Sequence, residues 1–157
     1  MNSELLNYFF TKYIAKTPCK SIVPDRRLFV CQLQTNITDA CGINYLNGGV
    51  CLTTQSLKHL FDKKPAEEFM FILDHLYSIT KYPNQVYRNK KGGRGQFCLV
   101  TKIKGDQYIC IIEIDQNAVR EVYIPTVFRI RDRNYLSNYT LLWDWGNGEP
   151  HRHVTNS

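Results

Sequence analysis

Apolar residues recur at helical spacing in three stretches of the chain. In 4–16, aromatic and aliphatic residues stand three and four positions apart, which predicts an amphipathic helix. The stretch 54–64 repeats this pattern, and Thr54 is its predicted N-cap. A third helix is predicted to begin at Pro65, because proline suits the first helical turn, and to end before Pro83.

Runs rich in β-branched and aromatic residues predict strands elsewhere, at 28–34, 50–53, 84–89, 96–104, 107–115 and 120–130. Gly105-Asp106 between two of these runs predicts a hairpin with a two-residue turn. The polar stretch 35–49 is predicted to be a loop, and 133–138 a helical turn. This order predicts an α+β fold in which N-terminal helices pack on a C-terminal antiparallel β-sheet.

The length of 157 residues fits a single domain. No apolar run approaches the roughly 18 residues of a membrane span, and Glu4 stands where a signal peptide would carry cations. We therefore expect a cytoplasmic protein without membrane contact. In a reducing compartment its six cysteines stay free thiols, and their spacing lacks the Cys-x-x-Cys pairs of common zinc sites.

Positive charge is concentrated in one part of the chain. The formal net charge is +6, from 20 Lys+Arg against 14 Asp+Glu. The segment 81–104 holds seven cations and no acid, with aromatic residues between them. Cations bind phosphates and aromatic faces stack on unpaired bases, so this mixture favours single-stranded or looped RNA. The alternative is a solvated surface above ordinary core aromatics.

Three arginines alternate in the sequence Phe-Arg-Ile-Arg-Asp-Arg. If strand geometry continues through Arg129, Arg131 and Arg133, their guanidinium groups share one face and are suited to gripping phosphate. The alternative is an edge strand whose like charges discourage aggregation.

The candidate chemistry is proton transfer. The sequence lacks His-Glu-x-x-His, a phosphate-binding Walker loop and Gly-x-Ser-x-Gly, and it predicts no cofactor and no metal site. His151 and His153 fall in a polar tail, predicted at 147–157, that is expected to fray. RNA is cleaved at its own 2′-hydroxyl when groups of suitable pKa move two protons and cations stabilise the phosphate. His59, beside the apolar stripe of its helix, is the first candidate, and His75 has no assigned proton role.

The order of several short motifs resembles the barnase–EndoU–colicin–RelE superfamily of phage- and toxin-associated nucleases. These motifs are Leu-Lys-His at 57–59, Ile-Thr-x-x-Pro-Asn-x-Val-Tyr at 79–87, Ile-Pro-Thr-Val-Phe at 124–128, Arg-x-Tyr-Leu at 133–136 and Leu-Leu-Trp at 141–143. The resemblance implies a barnase/EndoU-like core within 51–146 and leaves 1–50 as an N-terminal extension. It also implies a metal-independent ribonuclease of the toxin or phage-effector kind.

Carried over by position, the resemblance implies three catalytic residues: His59, Arg88 near the first strand of the sheet, and Thr126 on a late strand. The chain departs from the family pattern at Pro125, which has no amide hydrogen to donate to a ladder or a phosphate. The predicted nucleic-acid contacts are Lys58, Lys90, Lys91, Arg94, Lys102, Arg129, Arg131, Arg133 and Tyr135.

Two hypotheses follow. The first is a ribonuclease acting on structured RNA, with tRNA as one candidate and an antitoxin or immunity protein as a candidate partner. The second is an inactive module that binds nucleic acid or protein through the same basic surface, for example a phage-encoded inhibitor of a host nucleic-acid complex.

Overall fold

The computed structural model describes residues 3–44, 46, 48–115 and 121–145. Within these ranges the helices are α1 Ser3–Tyr13, α2 Thr35–Cys41, α3 Thr54–Lys63 and α4 Ala66–Lys81. The strands are β1 Arg27–Gln32, β2 Gly49–Thr53, β3 Gln85–Arg88, β4 Phe97–Ile103, β5 Asp106–Ile114, β6 Val122–Arg129 and β7 Thr140–Asp144. The fold is α+β, as predicted.

The strands form one sheet in the order β1-β2-β6-β5-β4-β3-β7. The predicted antiparallel sheet is corrected to a mixed one, because β2 pairs with β6 in parallel. The chain reaches β6 from β2 only after passing through two helices and three strands, a crossover connection that parallel pairing requires. The strands of the first fifty residues thus belong to the same sheet as the C-terminal strands.

The hairpin between β4 and β5 turns one residue earlier than predicted. Ile103 pairs with Asp106, which leaves Lys104 and Gly105 as the two turn residues. Both have positive φ, 51° and 87° respectively. This is the backbone of a type I′ turn, whose twist matches that of the flanking strands. The predicted turn at Gly105-Asp106 is therefore wrong by one position.

The predicted loop at 35–49 contains helix α2. Ile37 and Cys41, one helical turn apart, are both buried and fix the helix on the core. Gly42 ends it with φ 70°, a left-handed conformation that glycine adopts without steric cost. The high content of Asn, Thr and Asp concealed this short helix, because tertiary burial outweighs local propensity. The predicted helical turn at 133–138 is hydrogen-bonded turn structure.

The sheet buries apolar residues on both faces. The larger core cluster lies on the helix side and includes Leu99, Cys110 and Val127. A smaller cluster on the opposite face contains Cys98, Val100, Ile109 and Ile111, and residues from the segment 130–139 pack against it.

All six cysteines are free, and burial raises the pKa of Cys31 to about 11. In the described ranges no helix has the length and apolar character of a membrane span.

Candidate active site

Helix α3 lies along the second half of β6. The parallel pairing of β2 with β6 is recorded at Val50–Val122 and Cys51–Tyr123, and β2 ends at Thr53. The N-cap of α3 is Thr53, not Thr54 as predicted, and its side chain accepts a hydrogen bond from the Ser56 backbone N–H at 3.1 Å. The helix therefore continues beside β6 and covers backbone that would otherwise be an open edge.

A cavity of about 400 Å³ opens between α3 and β6 and brings two predicted catalytic residues together. Its lining residues are Thr53, Gln55, Ser56, His59, Arg94, Pro125 and Thr126. His59 is exposed, so its ring is accessible to a ligand. Thr126 lies on the strand and His59 on the helix, hence both are held by regular backbone rather than by loops.

Pro125 lies in a β-bulge of β6. Ile111 pairs with Thr126 and Glu113 pairs with Tyr123, so two residues of β6, Ile124 and Pro125, face one residue of β5. A bulge leaves one residue outside the hydrogen-bond ladder, which is where a proline is tolerated in a sheet. The missing amide hydrogen of Pro125 is thereby accommodated, and the bulge bends β6 next to the cavity.

Arg94 reaches the cavity from the loop 90–95, which is held against β5. Gly95 has φ +84°, and a Cβ there would lie 2.6 Å from Ile111 Cγ2. The Asn89 side chain donates to the carbonyl oxygens of Arg94 and Gly95 at 2.9 and 3.1 Å. Arg94 Nε lies 3.5 Å from Glu113 Oε1, but 71% of the arginine side chain is exposed. Its guanidinium is therefore available to a further anion.

A second cavity of about 410 Å³ shares Thr53, Ser56, Arg94 and Pro125 with the first, so the two form one groove. This second part is lined by the carboxylates Asp25, Glu113 and Asp115, with Arg27 and Tyr123 among them. Tyr123 donates a hydrogen bond to Glu121 Oε2 at 2.6 Å, and this bond raises the pKa of Tyr123 to about 12.

Arg88 does not share this cavity. It lies on β3, three strand spacings or roughly 14 Å from β6. It is also on the other face of the sheet, because Arg88 pairs with Phe97, whose partner Ile112 is in the helix-side core. Thr126 pairs with Ile111, which belongs to the cluster on the opposite face. The Arg88 guanidinium lies over the Phe97 ring, 5.8 Å from its centroid.

The three alternating arginines do not share one strand face, because β6 ends at Arg129. Arg129 lies 3.6 Å from Asp106, and Arg131 forms an ion pair with Glu68. Both line a separate cavity of about 380 Å³, whereas Arg133 lies in the turn segment that follows β6. The strand-face prediction is thus corrected, and carboxylates already neutralise two of the three charges.

Lys58 is buried and serves the fold. Its ammonium group donates to the Pro18 carbonyl at 2.6 Å and to Asp62 Oδ1 at 2.8 Å. Only 6% of its side chain is exposed. The structure therefore directs this cation into the protein and away from any RNA surface.

The remaining predicted contacts lie outside the groove. Lys91 and Lys102 are exposed on the loop 90–95 and on β4. Lys90 Nζ lies over the rings of Tyr135 and Tyr139, 5.9 and 5.2 Å from their centroids. The structure therefore places Tyr135 beside a cation, and its contact with nucleic acid stays a prediction.

His75 is used within the fold. Its ring stacks on Phe71 with centroids 4.1 Å apart, and Nδ1 lies 2.8 Å from the Phe71 carbonyl.

In the described part of the chain no three His, Cys, Asp or Glu residues are grouped to hold a metal ion. The predicted tail at 147–157, with His151 and His153, lies outside the described residues.

Comparison of the chain with protein-family models, with curated proteins and with solved structures finds no match. The nuclease resemblance therefore stays a prediction.

Sequence reasoning missed Ser56 and Glu113 as groove residues. Ser56 carries no signal of its own, because serine in the first turn of a helix is ordinary. Glu113 does carry one, since it is an acid within the otherwise apolar run 109–114. A carboxylate at that position of a central strand is expected to face either a partner or a site.

Proposed function

We propose that this protein is a ribonuclease that cleaves structured RNA by transesterification at the 2′-hydroxyl, without a metal cofactor. The observation that carries this proposal is the shared cavity of His59, Thr126 and Arg94 between α3 and β6. It unites an imidazole, a hydroxyl donor and a guanidinium, the three kinds of group that this chemistry needs. tRNA is one candidate substrate, and a toxin or phage effector is the role that the family resemblance implies.

Each residue has a defined task in this mechanism. His59 transfers a proton at the cleavage step, to the leaving 5′-oxygen or from the attacking 2′-hydroxyl. Thr126 donates a hydrogen bond to a phosphate oxygen or orients the attacking hydroxyl. Arg94, which pairs loosely with Glu113 in the free protein, grips the phosphate with charge-assisted hydrogen bonds.

Glu113 supplies a second proton-transfer group. It lines the adjoining part of the groove, where its Oε1 lies 3.5 Å from Arg94 Nε. Of His59 and Glu113, one takes the proton of the attacking 2′-hydroxyl and the other gives a proton to the leaving 5′-oxygen.

The products of cleavage test the reaction directly. Incubated with a synthetic structured RNA in EDTA, the protein is expected to leave 2′,3′-cyclic phosphate and 5′-hydroxyl ends. A matched RNA with a single 2′-deoxynucleotide at the cleaved position should stay intact there, because it lacks the attacking hydroxyl. Cleavage of the deoxy-substituted position, or 5′-phosphate ends, would contradict the proposal.

A second candidate function is binding without cleavage, to nucleic acid or to an acidic protein partner. The observation that favours it is the position of Arg88, which the family resemblance implies as catalytic but which lies on the opposite face from Thr126. RNA that binds and remains intact in the assay above would support this alternative.

A further inference from the structure

The face of the sheet opposite the helices carries a chain of stacked aromatic rings. Tyr135 and Tyr139 stack with centroids 5.7 Å apart and ring planes inclined by 25°. Phe128 meets Tyr135 edge-on at 5.8 Å. Tyr135 is 37% exposed, so one large ring of this cluster faces solvent. Burial raises the pKa of Tyr139, so its phenol is uncharged near neutral pH.

This cluster continues from the candidate active site along β6. Thr126 and Phe128 point to the same face, because their partners Ile111 and Ile109 both belong to the cluster on that face. Two residues of strand span roughly 7 Å, and the Phe128 ring then contacts Tyr135. A polymer that enters the cavity at Thr126 therefore meets these rings next.

The loop 90–95 connects the two places through cations at both of its ends. Lys90 lies over the tyrosine rings and Arg94 lines the cavity. The Asn89 side chain accepts from the Lys90 N–H at 2.8 Å and donates to the Arg94 carbonyl at 2.9 Å. The Asn89 side chain thus holds the backbone of both Lys90 and Arg94 in place. The loop 90–95 contains no acidic residue.

We propose that Tyr135, backed by Tyr139 and flanked by Lys90, is a stacking site for an unpaired base of an RNA strand whose phosphate lies in the cavity; this rests on the proposed function. A base offers its face to an aromatic ring only when it is not stacked inside a duplex. The site therefore selects single-stranded or looped segments, and Lys90 contacts the phosphate beside the stacked base. An acidic polypeptide would satisfy Lys90 but would gain nothing from the exposed ring.

Binding of a chemically blocked strand tests the site independently of cleavage. The probe is a fluorescent 2′-O-methyl oligonucleotide, which has no free 2′-hydroxyl. Its binding is measured by fluorescence anisotropy, once as a single strand and once annealed to its complement. We expect Tyr135→Ala to weaken single-strand binding by about tenfold, the usual effect of removing one stacking ring. Tyr135→Phe should bind like the parent. Tyr8→Ala is the matched control and should bind like the parent, since Tyr8 is a 63% exposed tyrosine outside the basic segment 81–104, with Lys12 Nζ 5.7 Å from its ring centroid.

The outcomes separate this site from the proposed function. If unmodified RNA stays intact while Tyr135→Ala weakens single-strand binding, the stacking site stands and the ribonuclease fails. If unmodified RNA is cut but Tyr135→Ala, folded by its melting curve, binds the probe like the parent, the stacking site is overturned. Equal affinity for the annealed duplex also overturns it. So does polyglutamate binding with the same dependence on Tyr135, which would identify an acidic protein partner instead.

Discussion

Alanine in place of Gly95 perturbs the contact that holds the loop 90–95 on the sheet. Gly95 has φ +84°, where an L-residue costs about 1–2 kcal/mol. Its new Cβ would also lie 2.6 Å from Ile111 Cγ2 and 2.8 Å from the Ile112 carbonyl oxygen. Overpacking of this kind costs a further ~1–3 kcal/mol, and the backbone oxygen cannot move aside as a flexible side chain would. We expect Gly95→Ala to lower the free energy of unfolding by about 2–5 kcal/mol.

Gly92→Ala is the matched control, because Gly92 has the same φ of +84° in the same loop but nothing within 4 Å of its added Cβ. It should lose only the conformational part, about 1–2 kcal/mol. Urea unfolding of both variants and the parent measures the difference, provided that the dependence on urea concentration is unchanged. Equal free energies of unfolding for the two variants would refute the close approach of Gly95 to β5.

Three further predictions concern charge. Asp62→Asn should destabilise the protein by about 3 kcal/mol in thermal or urea unfolding, because the Lys58 ammonium would stay buried without its carboxylate. The hydrogen bond from Lys58 lowers the pKa of Asp62. The stabilisation from this pair is therefore present above the unfolded pKa near 4 and is lost as the pH falls through the folded pKa. The acid unfolding curve of the Asp62→Asn variant should not show this loss. Arg94→Ala should slow RNA cleavage more than Arg88→Ala in single-turnover assays, since only Arg94 lines the cavity with His59; the reverse order would return the phosphate role to Arg88. RNA affinity should fall steeply with salt, and Lys91→Ala should reduce the slope of log affinity against log salt by about one, whereas an unchanged slope would make Lys91 a solvated side chain.

The strands β1 to β6 and the long helices could be predicted because their apolar periodicity is strong and local, whereas the segment of β7 was not predicted as a strand. The parallel pairing of β2 with β6 could not, since it joins residues some seventy positions apart and leaves no mark on either strand. Helix α2 was not predicted because its residues have weak helix propensity, and it is the burial of Ile37 and Cys41 that stabilises the helix.

The candidate site was predictable in kind but only partly in position. His59 and Thr126 share a cavity because β2 ends at Thr53 and α3, which follows it directly, lies beside the rest of β6. Arg88 and Arg94 look equally suitable along the chain, and the strand order puts the first on the other face. Arg129 pairs with a carboxylate of the β4–β5 hairpin and Arg131 with a carboxylate of α4. The alternation of arginines in the sequence therefore could not reveal that these two charges are paired.

The most direct test of proton transfer by His59 is a pair of histidine substitutions, each measured for cleavage rate in EDTA and for melting temperature. His59 is exposed, so His59→Ala should keep the parental melting temperature and RNA affinity while the single-turnover rate falls about 10²-fold or more. His75→Ala should show the opposite pattern, a near-parental rate and a lower melting temperature, because its ring stacks on Phe71. A His59→Ala protein that cleaves RNA at the parental rate would contradict the account.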